Sequence, residues 1–326
     1  MEIAVTLAEA YDIVVAGGGL AGMSAGLTAA RLGRSVLVLT GGIPGGLLLN
    51  IEHIDGLPGF PEGVPGYELC PAAQEQAEAA GAQLSMSGLD GVEPSNGGWS
   101  VATAEGELGA RAVIVATGAT FKPLCVPGED EFQGRGISTC ASCDGPLLRG
   151  KVAVVVGGGD SALQEALTLA DAVERVVILH RGEKLNGQAS YRERVLAHAN
   201  IEVRFGVVVE EILGEETVRG VRVRDLHSDA SEELEAAAVF PFIGLTPNSG
   251  ALNGVTKLDD GGHVLTDHAL RTPREGLLAA GIVRSGATAR AAAVGGEGAA
   301  AALAVHRYLD GGGWPEHAEP ARAGAR

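Results

Sequence analysis

The chain lacks what would place it in several large classes. It has only four cysteines in 326 residues, too few and too unevenly spaced for the disulfide framework of a small secreted domain. Basic residues are outnumbered, 24 Lys and Arg against 41 Asp and Glu, and the net charge of −17 is spread along the chain. Nucleic acid selects basic patches, so no nucleic-acid partner is expected. No apolar run approaches the roughly 18 residues of a membrane span, and no membrane partner is expected. Residues 1–10 carry two acids and no basic group, so no signal peptide is expected and a cytoplasmic location is. Aromatics make up only 4% of the residues.

Glycine is abundant, with 50 residues, and falls in turns between Ala- and Val-rich segments. That alternation suits an α/β fold, and the length suits two domains. Asp12-Ile13-Val14-Val15-Ala16 reads as a buried parallel strand. It runs into Gly17-Gly18-Gly19-Leu20-Ala21-Gly22, a full GxGxxG, followed by a helical pattern over 20–32 and a strand over 35–39. In this setting Gly17 allows the tight turn. Gly19 lets the backbone approach a pyrophosphate, and Gly22 lets helix and strand pack closely. The acid that usually meets the ribose at the end of the second strand is missing, and Thr40 stands there.

Residues 41–66 form a Gly- and Pro-rich loop, a natural lining for a ligand. A helix is expected over 67–80, two weak strands around the turn at Asn96-Gly97-Gly98, and a buried strand over 112–116 ending at Thr117-Gly118. The design then repeats. A strand over 151–156 runs into Gly157-Gly158-Gly159-Asp160-Ser161-Ala162, a helix over 161–169 and a strand over 176–179. The second motif starts about 140 residues after the first, so the chain reads as two dinucleotide folds. His180 and Arg181 close its second strand, and a basic group there can meet the 2′-phosphate of NADP. Further strands are expected over 201–205, 207–213, 218–225 and 239–243. Segments 259–266 and 276–280 would return to the first domain. A helix is expected over 295–309 with glycines at its start, and a disordered tail over 311–326.

Just ahead of the second motif lies Cys140-Ala141-Ser142-Cys143-Asp144. The spacing lets two sulfurs close a small ring at the start of a helix, where a thiol pKa falls. Asp144 is placed to protonate a leaving thiolate. Zinc would need two further ligands, and neither a second CxxC nor a spaced His pair supplies them. The chemistry indicated is thiol–disulfide exchange, with no metal.

Taken together these motifs resemble the low-molecular-weight thioredoxin reductases, with some likeness to the flavoprotein subunit of alkyl hydroperoxide reductase. The resemblance covers about residues 11–309. It also rests on Pro44-Gly45-Gly46, Pro58-Gly59-Phe60-Pro61-Glu62-Gly63, Ala116-Thr117-Gly118-Ala119, Gly244-Leu245-Thr246-Pro247-Asn248 and Ala279-Ala280-Gly281. It implies two Rossmann-like dinucleotide-binding domains, the second inserted in the first. The FAD-binding domain would be 1–118 and 244–310, and the NAD(P)H-binding domain with the CxxC 119–243. Gly17, Gly19, Gly22, Gly45, Gly46, Thr117, Gly118, Gly281 and Ile282 would line FAD. Gly157, Gly159, Ala162, His180 and Arg181 would hold NADPH. Cys143 would lie against the flavin, Cys140 would attack the partner's disulfide, and Asp144 would be the acid–base group. The resemblance implies hydride passing from nicotinamide to flavin, electrons then passing to Cys140–Cys143, and exchange with a thioredoxin-like dithiol protein. A homodimer is also implied.

The chain departs from that pattern on both cofactor sides. Ile282 stands where the family has the Asp that holds the ribityl chain. Leu47 replaces a Gln, Gly56 an Asn, and Arg290-Ala291-Ala292 an Arg-Gln-Ala segment. Of the family's basic NADPH set only His180 and Arg181 are present, with Gly182 and Asn186 at the other two positions. NADH therefore stays open as donor. So do a reductase fed by a non-nicotinamide donor such as ferredoxin, a dithiol oxidase using the same residues, and a degenerate flavoprotein serving as a binding module.

Overall fold

Two α/β units share the chain, the second interrupting the first. The computed structural model describes residues 10–314. One unit takes the chain up to Leu49, then His53–Thr120 and everything from Pro247; the other takes Asn50–Glu52 and Phe121–Thr246. Among the described residues, no helix is long and apolar enough to cross a membrane.

The first unit opens with β1 (Ala10–Ala16), α1 (Leu20–Arg31), β2 (Val36–Leu39), α2 (Gly66–Ala79), β3 (Gln83–Ser85), β4 (Gly91–Ser95), β5 (Gly98–Thr103) and β6 (Gly106–Val115). The sheet order is β3-β2-β1-β6-β5-β4. β1, β2, β3 and β6 run parallel, while β5 and β4 fold back antiparallel. The central strands are near-continuous apolar runs because both faces are covered. Ile13 and Val15 pack on the α1 side, and Val14 packs on the other.

The second unit is entered by β7 (Ala119–Phe121) and contains α3 (Ala141–Asp144), β8 (Val152–Val156), α4 (Asp160–Ala170), β9 (Arg175–His180), α5 (Ala189–Ala197), β10 (Ile201–Phe205), β11 (Val207–Gly214), β12 (Val218–Asp225), β13 (Ser231–Glu235) and β14 (Ala238–Pro241). The chain leaves through β15 (Leu245–Pro247), which pairs with β7. β10-β9-β8-β14 is all parallel. One of its faces packs on α4 and α5, and the other on the antiparallel sheet β11-β12-β13. The chain returns with β16 (Leu277–Ala279), parallel to the end of β6, and α6 (Ala291–Leu309), which lies along α1.

Three expectations need correction. Segment 259–266 is a turn rather than a strand, because the Asp259 carboxylate accepts from the backbone N–H of both Gly261 and His263 at 2.9 Å. The last helix begins at Ala291, not at the glycines, since Ala291-Ala292-Ala293 is strongly helix-forming. Gly298 serves packing: a Cβ there would lie 2.0 Å from the Ala21 carbonyl oxygen. Residues 311–314 fold back on α6, with the Trp314 ring edge-on to Tyr308 at 5.2 Å and the Gly312 N–H donating to the Arg307 carbonyl. The rest of the expected tail, and the N-terminal residues read for a signal, lie outside the described residues.

Candidate active site

β1 delivers the first glycine turn. Gly17 has φ +124° and donates to the Leu39 carbonyl at 2.7 Å. A Cβ on Gly17 would lie 2.1 Å from the Ala116 carbonyl and 2.8 Å from Thr117 N, so Thr117 borders this turn. A Cβ on Gly22 would sit 1.8 Å from the Gly17 carbonyl, which is the close helix–strand approach that glycine permits. The Gly45 N–H donates to Gly18 at 2.8 Å, bringing Gly45 and Gly46 alongside. Gly281 meets Ala21 on the remaining side. Thr117 and Gly118 are clasped to Asn248. The Thr117 hydroxyl donates to the Asn248 carbonyl at 2.6 Å, and the Asn248 amide donates back at 3.0 Å.

α1 starts with no side-chain cap and no acid in its first turn. Its free N–H groups and positive end therefore face open space over Gly19, where a Cβ would meet nothing within 4 Å. These features fit a pyrophosphate. The Thr40 hydroxyl is turned to its own backbone, donating to Gly42 and lying 3.1 Å from the Ser85 carbonyl. Ile282 is half-buried beside Gly281 and offers no polar group. Sequence reasoning missed Glu297 of α6, which accepts from the Gly281 N–H at 2.8 Å and is ion-paired with Arg284. Its only trace in the sequence is a lone acid in an Ala- and Gly-rich helix.

The second glycine turn, between β8 and α4, has the same frame with different neighbours. Gly157 has φ +138°, and its missing Cβ would lie 2.3 Å from the Phe242 carbonyl and 3.2 Å from Ala162 Cβ. The space over Gly159 is open. Asp160 heads α4 and accepts from the Gln188 N–H at 2.7 Å, while the Asn186 and Gly187 N–H groups donate to Gly158. His180 and Arg181 part company. The His180 ring is buried under Gly158, with Nε2 3.0 Å from the Lys184 carbonyl and Phe205 edge-on at 6.3 Å. Arg181 is exposed. A Cβ on Gly158 would fall 2.5 Å from His180 Nδ1, so the histidine fills the space that this glycine vacates.

Cys140 and Cys143 are joined as a disulfide at the head of α3. Cys140 is the N-cap, and its sulfur accepts from the Cys143 N–H at 3.3 Å. α3 is a single turn, so this N–H, rather than a long helix dipole, favours charge on Cys140. Cys140 is buried, Cys143 exposed and Asp144 partly exposed. The attacking role expected for Cys140 thus falls on the more enclosed residue. Beneath the pair, Glu165 of α4 is 6% exposed, and its carboxylate accepts from the Ala141 N–H at 2.9 Å. Burial pushes its pKa up to about 7. The Ala141 bond pulls it back, and Glu52 adds to the rise. Sequence reasoning missed this residue as well. Cys70 is a buried free thiol facing the Gly45 carbonyl, with a pKa pushed up to about 11 by burial; Cys125 is exposed. Among the described residues, no three His, Cys, Asp or Glu side chains gather as a metal site.

Comparison with known proteins places these features in company. The family described as pyridine nucleotide-disulphide oxidoreductase matches residues 11–304. A thioredoxin reductase of Treponema pallidum is 37% identical over 300 residues, covering 92% of this chain and 97% of the relative. The crystal structure of Lactococcus lactis thioredoxin reductase, in a state termed FR, superposes with a TM-score of 0.90 at 32% identity, covering 92% and 99% of the two chains. That of T. acidophilum thioredoxin reductase gives 0.89 at 32% identity, covering 93% and 100%.

Proposed function

We propose that the chain passes electrons from NADPH to the disulfide of a thioredoxin-like protein, through FAD and Cys140–Cys143. It belongs to the pyridine nucleotide-disulphide oxidoreductase family, among its thioredoxin reductases, whose cofactors are FAD and NADPH. The observation that carries this reading is a disulfide at a helix start, built into the unit that also holds the second glycine turn. FAD would supply the relay between a hydride donor and a dithiol.

The chain's own groups bind, orient and hold charge. Gly17, Gly19, Gly22, Gly45, Gly46, Thr117, Gly118 and Gly281 give FAD a backbone-lined cradle, with Ile282 as an apolar wall. Gly157, Gly159 and Ala162 give the nicotinamide nucleotide its pyrophosphate turn, and exposed Arg181 reads its 2′-phosphate. His180 acts from below by supporting Gly158. Cys143 would be the cysteine that takes electrons from the flavin. Cys140, its charge held by the Cys143 N–H, attacks the partner's sulfur. Asp144 protonates the leaving thiolate. The first unit is the FAD-binding domain and the second the NADPH-binding domain.

The protein acts in the cytoplasm as a homodimer. An apolar cleft of about 430 Å³ between α1 and α2, bordered by exposed Phe60, supports association through the first unit. Sedimentation of the purified protein checks the dimer.

The test is NADPH oxidation with oxidised thioredoxin as acceptor. Turnover should require thioredoxin and vanish in Cys143→Ser, which should instead trap a mixed disulfide through Cys140. Full turnover in Cys143→Ser would remove the disulfide from the mechanism.

A further inference from the structure

Glu165 is unusual in kind as well as in place. The two glycine turns repeat at an offset of 140 residues, from Gly17 to Gly157. At that offset the counterpart of Glu165 is Ala25 of α1, fully buried in the first core. The fold therefore needs only a small apolar group at this point of the helix. A buried carboxyl is costly unless something uses it. No Lys or Arg pairs with Glu165 among the described residues, and its one hydrogen-bond donor is the Ala141 N–H, between the two cysteines.

We propose that Glu165 is the positioning carboxyl of the redox pair: it fixes the first turn of α3 through Ala141 and takes up a proton when Cys140–Cys143 is reduced. This rests on the disulfide chemistry proposed above. Two acceptors sit on one turn, the Cys140 sulfur on the Cys143 N–H and the Glu165 carboxylate on the Ala141 N–H. Opening the disulfide with two electrons leaves a thiolate and a thiol. A thiolate on the turn that an ionised Glu165 already occupies is a like charge at close range, and each raises the other's pKa. The balanced step is disulfide plus carboxylate plus two electrons plus two protons, giving thiolate, thiol and carboxylic acid. The electrons come from NADPH by the established chemistry of the family, and the protons from solvent.

Other charges do not displace this assignment. The elements packed on α4 carry Asp144 (α3), Arg175 and His180 (β9), Tyr191, Arg192, Glu193 and Arg194 (α5), and Glu202 and Arg204 (β10). The charge that acts on Glu165 is instead Glu52, which also favours the protonated form. The carboxyl's poise near neutrality places the exchange within reach of ordinary conditions.

The experiment uses the full-length, FAD-loaded protein, reduced anaerobically. Iodoacetamide labelling of the Cys140/Cys143 peptide is followed by mass spectrometry across a pH series. Glu165→Gln keeps an acceptor for the Ala141 N–H but removes the charge. Its labelling profile should move about one pH unit lower, so that it labels roughly tenfold faster than wild type at the acidic end. Superimposable profiles would overturn the proposal. Infrared difference spectra of the wild type give an answer without a variant. With carbon-13 glutamate labelling to separate flavin bands, reduction at about pH 8 should create a protonated carboxyl band. Its absence would overturn the proposal as well. Thioredoxin turnover is measured in parallel. A shifted profile in a protein that does not reduce thioredoxin would uphold Glu165 and remove only the proposed partner.

Discussion

At the head of α1 the glycine turn is enclosed by more glycine: Gly45 bonded to Gly18, Gly281 against Ala21, and Thr117 bordering Gly17. No side chain caps the helix and no acid enters its first turn. At the head of α4 the same frame is dressed with titratable groups. Asp160 stands where α1 has Leu20, Glu165 where it has Ala25, and His180 where β2 is followed by Thr40. One turn is a backbone cradle, able to grip a ligand along its length without side-chain charge. The other carries side-chain charge, with Arg181 exposed just beyond β9 and a buried acid leading to the disulfide. The first suits a resident cofactor, the second a nucleotide that comes and goes beside proton-coupled chemistry.

The most disruptive way to separate the two turns is to fill each with a side chain. Gly22→Val drives carbon into the Gly17 carbonyl, and Gly157→Val into that of Phe242. Each should cost about 3 kcal/mol or more. Gly22→Val should lose flavin, while Gly157→Val should keep its yellow colour but lose reduction by NADPH. Flavin content and anaerobic bleaching read both; a Gly157→Val protein without flavin would break the comparison.

Glu165 should leave a mark on stability with pH. Its folded pKa is raised to about 7 from an ordinary 4.5. The stability it confers is therefore fully present below the ordinary value and lost as pH rises through about 7. Relative to Glu165→Gln, wild type should lose on the order of 2–3 kcal/mol across that window, seen in urea midpoints of the oxidised protein. The α1 counterpart, Ala25→Val, should show no such pH dependence.

Smaller is the strain between Gly158 and His180. Gly158→Ala should cost about 1–2 kcal/mol, and His180→Ala should relieve most of it in the double variant. Additive losses in unfolding midpoints would mean the ring does not fill that space. Smallest is Arg181→Ala. It should raise KM for NADPH about tenfold, worth about 1.4 kcal/mol, and leave KM for NADH unchanged. Equal effects on both donors would move 2′-phosphate recognition elsewhere.

Much of the fold was legible because it is written locally. β1, β2, β8 and β9 are apolar runs meeting glycine turns, and α1 and α4 follow at once. Strands of the sheet edges, such as the acidic β13 (Ser231–Glu235), carry no apolar signal because they are solvated. The start of α6 is hidden because its glycines look like a boundary in sequence, whereas α6 begins at Ala291 and Gly298 lies inside it in contact with α1. The cysteine pair, three positions apart in sequence, was visible. Glu165 was not, since its partner Ala141 lies 24 residues away. Nor was Glu297, 16 residues from Gly281. The inward turn of His180 was equally hidden, for it depends on the space over Gly158.

The most direct measurement is an anaerobic NADPH titration of the FAD-loaded protein, followed by oxidised thioredoxin, with Gly157→Val alongside. A backbone cradle for flavin and a charge-bearing turn for the nucleotide require that wild type bleaches and is then reoxidised by thioredoxin, while Gly157→Val stays yellow. Bleaching of both proteins alike, or of neither, would contradict that division of roles.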